Sequence, residues 1–175
     1  MTDFIIRPAT PDDALALSVL GRATFIETFV TEFGIPYPPE DLERFLGQTF
    51  SEETTRTRLV DPDYRYWAAE RDSEILGFAN TGRCSLPHPD ARAGHAELHR
   101  LYVSKAAQGV GVGKGLLKVA LEWMEANTDG PLWIGVWSGN LKAQKFYAAH
   151  GFEKVGEYQY PVGAWRDDEF ILRRG

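Results

Sequence analysis

Gln108-Gly109-Val110-Gly111-Val112-Gly113-Lys114-Gly115 is the stretch on which the reading of this chain turns. It lies between an apolar segment, Leu101-Tyr102-Val103, and the patterned residues 112–126, so a strand ends and a helix begins around it. Glycines at such a junction let backbone N–H groups converge on an anion at the helix N-terminus. The expected ligand group is a phosphate, and two phosphate loops are excluded at once. A Walker A loop needs glycine at position 108 and Ser or Thr at position 115; here stand Gln108 and Gly115, so the Mg²⁺ ligand is missing. The dinucleotide pattern G-x-G-x-x-G fails at its sixth position, which is Lys114 counted from Gly109 and Leu116 counted from Gly111.

On either side of this turn the segments fall into a regular order. Residues 4–7 read as a short strand. Thr10-Pro11-Asp12-Asp13 is a helix start with a cap residue, proline at the first helical position and acids in the first turn. Ala14, Leu17, Leu20, Phe25 and Phe29 keep helical spacing until Gly34-Ile35-Pro36 breaks it, and further helices are expected over residues 40–46 and from Ser51 to before Asp61-Pro62. Residues 64–70 and 75–83 read as strands of a hairpin turning at Asp72-Ser73, and residues 95–103 as the strand that feeds the glycine-rich turn. Beyond the helix over residues 112–126 come a buried strand at 132–136, a helix over 141–150 closed by Gly151, and strands near 152–160 and 169–173. Strands cluster before the long helix, so the expected fold is α/β in the α+β sense. It has a mixed, mostly antiparallel central sheet of six to seven strands with helices on both faces. No repeat or linker divides the chain, and residues 1–175 are expected to form a single domain.

Composition narrows the function. Hydrophobic residues at 43% allow a sizeable core. A net charge of −6 argues against nucleic-acid binding, which needs a basic face. No run approaches the roughly 18 to 20 apolar residues of a membrane span, and the start Met1-Thr2-Asp3-Phe4 lacks the cationic and apolar regions of a signal peptide, so a cytoplasmic protein with no membrane partner is expected. The single cysteine, Cys84, fits a reducing compartment. His88, His95, His99 and His150 have no metal-ligand spacing, and no metal site is expected. The charge is unevenly placed. Residues 1–63 hold 12 acids against 5 arginines, while residues 98–121 hold Arg100, Lys105, Lys114 and Lys118 with no acid, and residues 131–152 hold Lys142 and Lys145 with none. An anionic ligand is therefore expected near the glycine-rich turn and a cationic one near the acidic first third.

What the turn does match is Gln108-x-x-Gly111-x-Gly113. A second motif follows in order: Trp133-Ile134-Gly135-Val136-Trp137, then Asn140-x-x-Ala143-x-x-Phe146-Tyr147-x-x-x-Gly151-Phe152. Together these resemble the GNAT superfamily of N-acetyltransferases. The N-terminal helices, Phe50-Ser51-Glu52-Glu53 and the tail over residues 162–168 are similar, more loosely, to bacterial spermidine/spermine acetyltransferases of that superfamily. The resemblance implies acetyl-CoA as cosubstrate and direct attack of a primary amine on its thioester, with no covalent enzyme intermediate. It implies cofactor contacts from Leu101, Tyr102 and Val103, a pyrophosphate wrap by Gln108, Gly109, Val110, Gly111, Val112, Gly113 and Lys114, and further contacts from Asn140 and Lys145. Homodimers are common in such families, and a homodimer is the corresponding expectation.

The same resemblance gives Tyr147 as the acid that protonates the departing thiolate; a core tyrosine closing its helix would look the same in sequence. Asn140 would serve equally as the cap of its helix. Glu97 matches the general-base glutamate of histone-acetylating members, with His99, on the same strand face by alternation, or water as rivals. The acceptor implied is a small-molecule amine, a polyamine or another small cationic amine, steered by Glu27, Glu32, Glu40, Asp41 and Glu43 on the N-terminal helices. Acetylation of a protein or peptide, or an acyl-CoA-binding module without turnover, are the other functions open to this sequence.

Overall fold

A computed structural model describes residues 3–175; Met1 and Thr2, read above as part of a start without a leader, lie outside the described residues. Seven strands form one sheet: β1 (Ile5–Pro8), β2 (Arg65–Arg71), β3 (Glu74–Arg83), β4 (Ala96–Val103), β5 (Leu132–Trp137), β6 (Glu153–Val162) and β7 (Trp165–Arg174). Their spatial order is β1-β2-β3-β4-β5-β7-β6, and every neighbouring pair is antiparallel except β4 and β5. The helices are α1 (Ala14–Phe25), α2 (Pro39–Thr49), α3 (Glu52–Val60), α4 (Val112–Ala126) and α5 (Leu141–Ala148). A single 3₁₀ turn at Pro11–Asp13 leads into α1, and wider π-type turns at Ile26–Glu32 extend it. This is the mixed, mostly antiparallel sheet expected from the sequence, with seven strands.

Strand alternation builds a core on each face. On β2, Trp67 and Ala69 join the core that α4 covers through Leu116, Leu117 and Met124, while Tyr66 points the other way with Leu17 of α1 and Phe78 of β3. A third cluster joins the N-terminal helices to the β6–β7 hairpin: Phe25, Tyr37, Phe45 and Phe50 pack with Val162, Tyr160 and Trp165. Arg7 ties β1 to its neighbours, with ion pairs to Asp13 at 2.8 Å and Glu70 at 2.6 Å.

Two sequence expectations need adjustment. β7 begins at Trp165, not at residue 169, because Arg166-Asp167-Asp168 hides the alternation: 166 and 168 are exposed while Asp167 is buried. The helical run Pro11–Glu32, at 22 residues and a mean hydropathy of 1.3 over its apolar window, is long and apolar enough to cross a membrane by length and composition, against the expectation that no run approaches that length. Within it α1 lies against β3, β4 and α3, and 33% of the apolar window is buried.

What positions the site is the pairing of β4 and β5. They run side by side only at Ala96 with Leu132, Glu97 with Trp133, and Leu98 with Ile134. Both strands continue, to Val103 and Trp137, without further pairing to each other. They splay into a wedge, and β4's backbone groups facing β5 beyond Leu98 are left for a ligand.

Candidate active site

Two cavities meet at that wedge. One, of about 430 Å³, is lined by Leu101, Tyr102 and Val103 of β4, by Gln108, Gly109, Gly111, Gly113 and Lys114 of the glycine-rich turn, and by Asn140, Lys142 and Tyr147. The other, of about 560 Å³, is lined by Glu97, His99, Arg100, Asp167 and Glu169 among others. Leu101, Tyr102, Asn140 and Tyr147 line both, so they stand where the cavities communicate.

The first cavity has the form of an anion cradle. Gly109 and Gly111 hold φ at +82° and +93°, left-handed values that turn the chain sharply into α4. Gly111 caps that helix, whose first N–H groups have no intrahelical partner and are free to bind a ligand. The Gln108 amide donates to the Val103 carbonyl at 3.3 Å and ties the turn to the end of β4. Of the expected cofactor residues, three do not line the cavity. Val110 is 52% exposed, Val112 is 1% exposed in the core beneath α4, and Lys145 is exposed on α5. Lys142 lines the cavity where Lys145 does not, because residues three apart on a helix do not share an identical bearing. Asn140 does both things read for it: its Oδ1 accepts from the Ala143 N–H at 3.0 Å, capping α5, and it faces the wedge.

Tyr147 is 8% exposed, packed against Phe146 and Phe152, and reaches both cavities. Burial, with Tyr102 adding to it, holds its phenol above the usual tyrosine range, so it is protonated at neutral pH and able to donate. Glu97, 7% exposed, accepts through Oε2 from the Ser85 N–H at 2.8 Å and the Ser85 hydroxyl at 3.3 Å. Burial outweighs those bonds and pushes its carboxyl up to about 6, which makes it a stronger base than a free carboxylate while leaving it largely ionised at pH 7. His99 Nδ1 lies 3.8 Å from Glu97 Oε1. Burial, then Arg100 and Arg58, pull His99 down to about 4, so the imidazole is neutral and this contact is not an ion pair.

Sequence reasoning missed several residues of the second cavity. Asp167 and Glu169 stand on the buried face of β7 at positions where strand alternation carries acids, so hydropathy gave no signal. Tyr158 donates to Glu169 at 2.5 Å, and Tyr37 and Trp165 donate to Asp167 at 2.5 and 2.9 Å. Burial raises both carboxyls against these bonds, Glu169 up to about 7. Arg100 arrives by a different route. The register between β3 and β4 shifts where Asn80 faces Arg100 and Thr81 faces Leu98, leaving His99 as an extra residue. This bulge lets consecutive side chains, His99 and Arg100, line one cavity. The N-terminal acids expected to line an acceptor site do not line this cavity: its helical wall is aromatic, Phe25, Phe29 and Phe45. Glu43 pairs with Arg22 at 2.7 Å, Asp41 accepts from the Ala164 N–H at 2.8 Å, and Glu32 lines the other cavity. Among the described residues, no group of three or more His, Cys, Asp or Glu is arranged to hold a metal.

Comparison with known proteins agrees with this geometry. Residues 23–152 match the family described as Acetyltransferase (GNAT) family. An uncharacterised N-acetyltransferase in the pepI 3′ region of Lactobacillus delbrueckii subsp. lactis is 29% identical over 148 residues, 85% of this chain and 86% of that one. A probable spermine N(1)-acetyltransferase of Bacillus subtilis subsp. natto is 27% identical over 113 residues, 62% of this chain and 74% of that one. The crystal structure of the PaiA N-acetyltransferase of Thermoplasma acidophilum, in complex with coenzyme A, superposes with a TM-score of 0.75 at 23% identity, covering 98% of each chain. The splayed β4 and β5, the glycine-rich entry to α4 and the match over most of the sequence lead to one conclusion: this chain belongs to the acetyltransferase (GNAT) family and is an acetyl-CoA-dependent N-acetyltransferase.

Proposed function

We propose that the chain, as a single domain over residues 1–175, transfers acetyl from acetyl-CoA to the primary amine of a small acceptor bound in the larger cavity. The observation that carries this reading is the set of carboxylates, Glu97, Asp167 and Glu169, lining a cavity that opens onto the cofactor cradle at Leu101, Tyr102, Asn140 and Tyr147. In the reaction the amine nitrogen attacks the thioester carbonyl carbon. The bound ammonium first gives one proton to Glu97, which frees the nitrogen lone pair; the C–N bond then forms as the C–S bond breaks, the second nitrogen proton leaves to solvent, and Tyr147 protonates the leaving thiolate. Backbone N–H groups of Leu101 or Tyr102, left without a β5 partner by the splay, face the developing oxyanion. The pyrophosphate lies on the N–H groups around Gly109, Gly111 and Gly113, with Lys114 and Lys142 supplying opposite charge. A carboxylate-lined cavity attracts amines in their ammonium form. Polyamines and other small cationic amines are the class proposed, and the relative named as a probable spermine acetyltransferase supports including them. An unpaired, buried Cys84 is compatible with a cytoplasmic site of action.

Thiol release from acetyl-CoA, measured across polyamines, alkylamines, amino acids and short peptides, tests this reading. Turnover of a small amine at a kcat/KM well above that of every peptide is expected. Tight acetyl-CoA binding by calorimetry with no thiol release for any amine would leave a binding module instead.

A further inference from the structure

The larger cavity holds both signs of charge. Glu97, Asp167 and Glu169 line it, and so do Arg58 of α3 and Arg100 of β4. Among the described residues, no ion pair joins any of these five side chains to another. Each is held by neutral groups instead. The carboxylates take the Ser85, Tyr37, Trp165 and Tyr158 donors described above. Arg58 donates to the Thr49 carbonyl at 3.2 Å, and Arg100 donates to the Tyr160 hydroxyl at 3.4 Å with its guanidinium 5.1 Å from the centre of the Phe50 ring. Guanidinium groups keep their charge at any ordinary pH. Both side chains are half-buried, Arg100 acts on Glu97 and Glu169 only through space, and the hydrogen-bonding forks of the two guanidinium groups are left for a bound anion.

Apart from Glu97 and Arg100, which share β4, the two signs come from different elements, Arg58 from α3 and Asp167 and Glu169 from β7. Arg58 and Arg100 together line a smaller space with Phe50, Thr55 and Tyr66, between the N-terminal helices and the sheet. Glu169 and its partner Tyr158 lie over Gly135 of β5, where a β-carbon would meet both. A simple polycation would satisfy the carboxylates and bring a positive charge toward the two guanidinium groups.

We infer that the acceptor is zwitterionic: its primary amine faces Glu97 and Glu169 beside the wedge, and a carboxylate on the same small molecule is held by Arg100 and Arg58. The planar guanidinium fork suits a carboxylate through two parallel hydrogen bonds. This rests on the acetyl-transfer reading above and takes its small-amine acceptor to be an aminocarboxylate in place of a polyamine.

The test compares matched acceptors with acetyl-CoA: glycine, β-alanine, 4-aminobutyrate and 5-aminovalerate against alkylamines of equal carbon number, with spermidine and an N-terminal peptide series alongside. In the wild type, the best aminocarboxylate is expected to exceed its matched alkylamine in kcat/KM at least tenfold. That ratio is expected to fall at least tenfold in Arg100→Gln, with Arg100→Lys between the two. Acetyl-CoA affinity by calorimetry checks that the variants are folded; should Arg100→Gln not fold, Arg58→Gln and the wild-type ratio decide. Spermidine, alkylamines or a peptide outpacing every aminocarboxylate would overturn the inference while leaving acetyl transfer intact, as would a ratio that survives in the Arg100 variants. Absence of thiol release with any amine would instead bring down the acetyl-transfer reading on which it rests.

Discussion

Tyr147 and Glu97 line the same cavity, one holding a proton and the other, in the proposed reaction, taking one. Burial sets both conditions, because an apolar surrounding disfavours the charged form of phenol and carboxyl alike. For Tyr147 the raised affinity for its proton keeps the donor filled at neutral pH. Tyr147→Phe is expected to lower kcat by roughly 10² or more while leaving the acetyl-CoA dissociation constant within about twofold; a near-wild-type kcat would return Tyr147 to a packing role. Glu97 must be ionised to act as a base, so kcat/KM should rise with pH through about 6 and then level. Glu169, up at about 7, titrates in the same cavity, and the observed limb belongs to the pair. Glu97→Gln should therefore lower kcat/KM and leave only the limb near 7. An acidic limb identical to that of the wild type would exclude Glu97 as the base.

At the scale of elements, the turn into α4 and the β4–β5 splay do different work. In the proposed reaction the splay, which withholds pairing after Leu98, would take the thioester arm, and the turn would supply donors to the pyrophosphate. Nothing lies within 4 Å of where a β-carbon on Gly111 would sit, so space does not require glycine there. Conformation does: φ of +93° costs a β-branched residue more than the roughly 1–2 kcal/mol typical of a left-handed L-residue. Gly111→Val is expected to reshape the turn and raise the acetyl-CoA dissociation constant at least tenfold, about 1.4 kcal/mol, with far-UV circular dichroism unchanged. An unaltered affinity in calorimetry would remove the turn from the cofactor site.

Across the whole molecule, the acidity of the first third does not converge on the acceptor cavity. Glu27 is exposed and Glu32 lines the cofactor side, near the expected pyrophosphate. Neutralising both, as Glu27→Gln with Glu32→Gln, should leave the ranking of acceptors unchanged. The acetyl-CoA KM should fall modestly, since a carboxylate beside a pyrophosphate repels it, and the difference should shrink as salt approaches 0.15 M, where the Debye length is about 8 Å. A selective loss of cationic acceptors in the double variant would restore the steering role expected from the charge split.

The order of strands and helices, the strand–turn–helix at residues 101–126 and the capped helix of Tyr147 were legible in the sequence because each rests on local rules. These are period-2 and period-3.6 burial, glycine at left-handed φ, and a side-chain cap. The geometry of the glycine-rich turn follows from those elements and was legible with them. The acceptor cavity was not. Arg100 lines it because pairing with β3 creates a bulge at His99, a register that only the neighbouring strand sets. Asp167 and Glu169 line it because β7 folds back onto β5 and buries acids whose pattern mimics an exposed loop. Lys142 takes the place expected of Lys145 because the bearing of α5 on the sheet decides which side of that helix meets the cradle. Local patterns along the chain fix the elements, and the acetyl-CoA chemistry came with the family resemblance of the two motifs they carry. Only the tertiary structure decided which charges share the acceptor cavity, because burial and counter-charge are properties of segments brought together from far apart in the chain.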